Sequence, residues 1–194
     1  MNPTHQSLIS LYSRLGYAQQ HTVPLVTDKP EPGKSGLRSF RWLKDARGAL
    51  VEVHRKSWFG KSHFSDAGTV GQAYISATRP GVVKGWHAHT RQTDRFVCIR
   101  GCVEVVTCDL HVLTNPDVTE APITRTLLNA NYQMEQLVIP PGLAHGWRAL
   151  DTTCDSWILN LCSHEYDGTD EWRREAHSGP WDGAQYAWNY VCDG

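Results

Sequence analysis

His87 and His89 stand two residues apart, Asp94 follows five residues on, and His145 comes after a Pro140-Pro141-Gly142 turn. Imidazole is the side chain whose unperturbed charge change falls near neutral pH, which suits it to proton transfer and to metal ligation. Three imidazoles and a carboxylate could hold Fe(II), Mn(II), Ni(II) or Zn(II) and leave positions open for a substrate. The same four groups without a metal could line an acid/base pocket. There His87 would take a proton from a carbon acidified by a neighbouring carbonyl, while a cationic or hydrogen-bonding group steadies the enolate. Spacing alone leaves both chemistries open.

These residues must be held by strands. On a strand, residues i and i+2 share a face, so His87 and His89 project together and Trp86 and Ala88 face the other way. The polar run 90–93 reads as a hairpin loop that returns Asp94 close to His89. Short β-branched or alternating runs at 39–43, 49–55, 70–78, 82–89, 95–100, 102–107, 124–128, 136–139 and 155–162 are bounded by Gly, Pro, Asn or Asp. Many short strands at regular spacing indicate an antiparallel sandwich or closed barrel. Leu8, Leu11, Tyr12 and Leu15 recur at helical spacing and Gly16 stops them, which predicts an N-terminal helix. Thr169 followed by Asp170 and Glu171 predicts a second short helix with Thr169 as its N-cap. The expected organisation is an N-terminal helix and loop extension over 1–36, then a single barrel with a C-terminal helix and tail over 37–194.

The spacing G-x5-H-x-H-x4-D-x6-G from Gly81 to Gly101 matches the first cupin motif, with aspartate where glutamate is usual. Pro140 to His145 resembles the core of the second, P-x-G-x2-H. Together they predict an all-β cupin double-stranded β-helix, a jelly-roll barrel with short flanking helices.

Composition narrows the classes of function. The 194 residues suffice for one domain with a core that needs no disulfide staples. A net charge of −1 offers no electrostatic footprint for nucleic acid or an anionic membrane. No apolar run approaches the roughly 20 residues of a membrane span, and the first residues lack a signal-peptide layout. The six cysteines contain no Cys-x-x-Cys pair, so a reducing cytoplasm with thiols as small core residues is expected.

The chain resembles the dTDP-4-dehydrorhamnose 3,5-epimerase family, a metal-free branch of the cupins. Asp45-Ala-Arg47-Gly48-Ala-Leu50-Val-Glu52 is similar to the family's D-x-R-G-x-F-x-E, with leucine in place of the phenylalanine. Gly81 to His87 is similar to G-V-x-R-G-L-H, and Ile139 to Trp147 resembles I-P-x-G-F-A-H-G-F. The resemblance implies His87 as general base, Arg47, Glu52 and Lys84 as nucleotide or phosphate contacts, His145 on the pocket wall, and Tyr166 as a pocket tyrosine. The family's proton-donating tyrosine would fall on Asn160 and its pocket lysine on Asp94, while Asp182 is the nearest candidate for the carboxylate that orients the base. It also implies a homodimer and no cofactor.

The expected function is a sugar-nucleotide epimerase or isomerase acting on a 4-keto deoxysugar. His87, Asp94 and Asp182 are its catalytic candidates; Arg47, Glu52, Lys84, His145, Asn160 and Tyr166 are its binding candidates. Asparagine cannot give up a proton as tyrosine does, so single epimerisation or keto-isomerisation stays open beside the double reaction. Two other expectations are kept: a metal-dependent cupin with a divalent transition metal on His87, His89, Asp94 and His145, and a non-catalytic sugar-nucleotide-binding cupin.

Overall fold

The computed structural model describes residues 5–19, 43–55, 70–115 and 117–181, together with Ala184, Tyr186 and Trp188. Among the described residues, beside short 3-10 turns at Leu110–Thr114 and Ala176–Ser178, one α-helix, α1 (His5–Arg14), precedes twelve strands. These are β1 (Ala18–Gln19), β2 (Leu43–Asp45), β3 (Gly48–Arg55), β4 (Gln72–Thr78), β5 (Val83–Ala88) and β6 (Asp94–Arg100), then β7 (Cys102–Asp109), β8 (Ile123–Asn129), β9 (Gln136–Ile139), β10 (Leu143–Ala149), β11 (Ser156–Cys162) and β12 (Trp172–Arg173). They form two six-stranded antiparallel sheets, ordered β1-β12-β5-β10-β7-β8 and β2-β3-β4-β11-β6-β9. Consecutive strands repeatedly lie in opposite sheets, as β4 and β5 do, so the chain winds a jelly-roll barrel with an enclosed interior.

Alternation along each strand assigns the faces. In β5, Trp86 and Ala88 are fully buried on the outer side of the first sheet. There they join Leu8, Leu11, Tyr12 and Leu15 of α1, and Trp172 and Trp188, in one apolar cluster. The Tyr12 hydroxyl donates to the His89 carbonyl at 2.6 Å, tying the helix to the end of β5. A second cluster, with Phe96, Val103, Val105, Leu128, Trp147 and Ile158, fills one end of the interior between the sheets. The other end is left for polar side chains.

Two elements depart from sequence expectation. Strand β10 carries His145 yet shows no clean alternation, because both of its faces are covered: Ala144 packs in the outer apolar cluster and Trp147 in the inner one. Its start is set by Gly142 at φ +92°, where a Cβ would lie 1.8 Å from the His111 ring. The expected helix from Thr169 does not form. Asp170 instead accepts backbone N–H groups of the 90–92 loop, from Thr90 at 2.8 Å and Gln92 at 3.0 Å. Trp172 and Arg173 then pair with Ala88 and His87 as β12. Tertiary pairing overrides a local capping signal whose carboxylate serves another loop.

The five described cysteines are unpaired thiols, and Cys98, Cys108 and Cys162 are buried as expected of core residues. Cys192 lies outside the described residues. No helix among the described residues is long and apolar enough to cross a membrane.

Candidate active site

The polar end of the barrel is a cavity of about 330 Å³, within the usual range for small-molecule sites. Its walls come from both sheets. The first sheet contributes Lys84, His87, His145, Trp147 and Arg173; the second contributes Gln72, Tyr74, Ser76 and Asp94. Arg47, Leu50, His89, Gln92, Tyr166 and Glu171 are among its other lining residues.

Lys84 and His87 are three apart, an odd spacing that would put them on opposite faces of a regular strand. They share the cavity because β5 is bulged: His87 pairs with His145 but Lys84 pairs with Trp147, one residue more on β5 than on β10. Burial pushes the His87 imidazole well below its ordinary range, and the neighbouring Arg173 cation, His145 and His89 add to this. The ring is therefore neutral at physiological pH and able to accept a proton. Arg173 is held by Glu171, Nε to Oε1 at 2.8 Å. The Lys84 ammonium donates to Ser76 Oγ and to the Ala77 carbonyl, both at 2.9 Å, and these acceptors are neutral. Burial, then the Arg47 cation, lower it to about 8 against partial support from Asp45 and Asp155. An ammonium has three donors, so one remains for a ligand.

Asp94 anchors a second group. Its Oδ2 lies 3.2 Å from His89 Nε2 and 3.3 Å from His145 Nε2. Its Oδ1 accepts from Gln92 at 2.8 Å and Asn160 at 2.9 Å. Burial works against charge in the pair, yet Asp94 raises His89 to about 10. In turn His89 and His145 hold the buried Asp94 carboxyl well below its usual range. The sequence expectation that His89 and Asp94 could pair is thus met in geometry.

His89, Asp94 and His145 are also the described residues that could hold a metal, with ligand atoms within 4.8 Å of one another. His89 Nδ1 bonds the Asp170 carbonyl at 2.8 Å and His145 Nδ1 bonds the Leu143 carbonyl at 3.2 Å, which directs both Nε2 atoms at one carboxylate oxygen. Metal-bound histidines show such outer hydrogen bonds. His87 offers no ligand atom to this cluster, so among the described residues the four-ligand set expected from spacing reduces to three.

Arg47 is half-exposed at the cavity rim and chelates Asp45, with Nε at 3.1 Å from Oδ2. Glu52 is buried between Arg55 and Gln72, at 2.9 and 2.5 Å, and does not line the cavity. Asn160 is fully buried and contacts the cavity through Tyr74 and Asp94. Tyr166 lines the cavity wall, and Asp182 lies outside the described residues. Sequence reasoning missed Tyr74, Gln92, Glu171 and Arg173. Alternation over 72–78 was the available signal for the first, since Gln72, Tyr74 and Ser76 all face the cavity. Arg173 was hidden in a segment read as helix.

A jelly-roll barrel with a His/His/Asp group and a separate His/Lys wall at one end defines a cupin. The chain matches the sequence profile of dTDP-4-dehydrorhamnose 3,5-epimerase over residues 37–178, and it belongs to that family. It is 30% identical over 138 residues to a probable low-salt glycan biosynthesis epimerase, Agl13, of Haloferax volcanii, covering 69% of this chain and 80% of that one. It is 32% identical over 151 residues to the spore coat polysaccharide biosynthesis protein SpsL of Bacillus subtilis, covering 75% and 87%. Among solved structures, a dTDP sugar isomerase from Desulfovibrio desulfuricans shares the fold with a TM-score of 0.55 at 21% identity, over 80% of this chain and 90% of that one. The capsular polysaccharide assembling protein CapF of Staphylococcus aureus superposes with a TM-score of 0.58 at 18% identity. That match covers 75% of this chain, which spans 37% of CapF.

Proposed function

We propose that the protein is a sugar-nucleotide epimerase or isomerase acting on a 4-keto deoxysugar, with His87 as general base. The observation that carries this is the pairing on one bulged strand of a neutral cavity imidazole, His87, with a buried ammonium, Lys84, that has a donor to spare. The imidazole can remove a proton from the carbon beside the ketone. The ammonium offers an anchor for a diphosphate or for the developing enolate oxygen. Family membership and the names of the relatives support the same reaction class. Asp182 as orienting carboxylate and Arg47, at the cavity rim, as a nucleotide contact belong to this proposal; Glu52, turned away from the cavity onto Arg55 and Gln72, does not.

The test is incubation of the protein with a thymidine-diphosphate 4-keto-6-deoxysugar in heavy water. Deuterium at the carbon next to the ketone is expected, together with an inverted centre. Binding of thymidine diphosphate without any exchange would reduce the protein to a binding module.

The convergence of His89 and His145 on Asp94 Oδ2 favours a second reading, a divalent transition metal on those three residues. A 2-His-1-carboxylate set suits a metal with open positions. Metal analysis of protein purified without chelator tests it: near-stoichiometric metal that disappears in His89→Ala would establish the centre. Metal content at background would leave the three residues as a proton-held ion pair.

A cytoplasmic homodimer completes the proposal. Tyr132, Met134 and Val138 are exposed on β9 and the segment before it, and Leu127 on β8, the preceding strand in the chain, which offers apolar surface for a second copy. Light scattering on the eluting protein would give the mass directly.

A further inference from the structure

An epimerase needs an acid opposite its base, and the family's tyrosine position on β11 is Asn160 here. The structure puts a phenol next to it from the neighbouring strand. Tyr74 on β4 is the direct Cα partner of Asn160. The Asn160 amide nitrogen donates to the Tyr74 hydroxyl oxygen at 3.0 Å. The amide cannot turn round freely. Its carbonyl oxygen accepts the Arg95 N–H at 3.0 Å, and its nitrogen also reaches Asp94 at 2.9 Å. The phenol oxygen is thereby the acceptor in its bond to Asn160. Among the described residues no group accepts the phenol's own proton, and the side chain lines the cavity.

Tyr74 and His87 also stand on opposite walls. β4 belongs to the second sheet and β5 to the first, with the cavity between them. A ligand ring held there presents one face to each. We propose that Tyr74 is the proton donor that completes epimerisation, with Asn160 as the residue that positions it, resting on the reading of this cavity as a keto-sugar epimerase site.

In that step the His87 imidazole takes the proton from the carbon beside the ketone, and the C–H electron pair becomes the enolate. The Tyr74 O–H proton then passes to the same carbon from the other face. The C–H bond forms, the carbonyl is restored, and the O–H electron pair stays as tyrosinate. The Asn160 N–H bond strengthens as that charge develops. Water returns the proton from imidazolium to tyrosinate, so no other reactant is needed. Burial, with the Cys162 thiol and the Asp94 carboxylate adding to it, keeps the phenol protonated until the enolate forms.

Tyr74→Phe, which keeps the ring and removes the proton, is the experiment, with wild type alongside on a thymidine-diphosphate 4-keto-6-deoxysugar in heavy water. The variant is expected to form inverted product at least about 100-fold more slowly, the usual scale for losing a general acid. It should still exchange solvent deuterium into the carbon with retention, since His87 can remove and return a proton on one face. Thymidine diphosphate affinity should be unchanged by calorimetry. Inversion at the wild-type rate in Tyr74→Phe would overturn the assignment and leave the epimerase reading intact. Loss of nucleotide affinity in the variant would also overturn it, by making Tyr74 a binding contact. If wild type neither exchanges nor inverts, the reading on which the assignment rests falls with it.

Discussion

Asp94 and His89 form a buried ion pair, Oδ2 to Nε2 at 3.2 Å, with side chains 2% and 7% exposed. The geometry is closed on every side: His89 Nδ1 meets the Asp170 carbonyl, and Asp94 Oδ1 meets two amides. At this position the family resemblance leads one to expect a lysine. The charge is reversed here, and a cationic histidine balances it. Enolate stabilisation from a lysine therefore has to come from elsewhere, and Lys84 is the buried ammonium of the cavity wall, whereas Lys44 lines it from an exposed position.

Removing one member of such a pair leaves the other charge uncompensated, which typically costs about 3–5 kcal/mol. Asp94→Asn should lose stability on that scale in urea unfolding, because a buried His89 cation would face an amide. A loss under 1 kcal/mol would show that His89 is neutral in the native state.

His87→Asn should abolish solvent deuterium exchange into a keto-sugar ligand. The expected drop is about 100- to 10,000-fold, with little change in unfolding midpoint. Exchange persisting at the wild-type rate would remove His87 from the role of base.

Lys84→Met should weaken thymidine diphosphate binding about tenfold to a hundredfold, since a charge-assisted hydrogen bond contributes roughly 1.5–3 kcal/mol. Wild-type affinity should also fall as pH rises through about 8, where the ammonium loses its proton. Stability should move the other way. The folded-state value lies below that of the unfolded chain, about 10.4, so between the two the unfolded state binds more protons. Stability from this group therefore rises with pH across that window and is lowest below it. Comparing wild type with Lys84→Met by calorimetry and by unfolding from pH 7 to 10 isolates both slopes.

Gly146→Ala should destabilise the site wall by about 1–3 kcal/mol, as overpacking does. A Cβ there would stand 3.0 Å from Gly85 Cα and 3.1 Å from the Trp188 ring, in the close approach of β10 to β5. A lowered unfolding midpoint with altered tryptophan fluorescence is expected; an unchanged midpoint would mean the two strands can part.

The sequence by itself determined the barrel, its N-terminal helix and the four polar residues of the two motifs. It could do so because these are local signals: period-two alternation, helical spacing in α1, and a glycine- and proline-marked turn before His145. Tertiary structure alone decided how those residues divide. His89 and His145 turn inward onto Asp94 because the carbonyls of Asp170 and Leu143 pin their far nitrogens. His87 is left apart, joined with Lys84 by a bulge that strand periodicity does not announce. Tyr74 meets Asn160, and Arg173 meets His87, only through strand register between segments 86 residues apart in each case. Such contacts depend on which strands pair and in what register, a property of the whole sheet and not of any window of sequence.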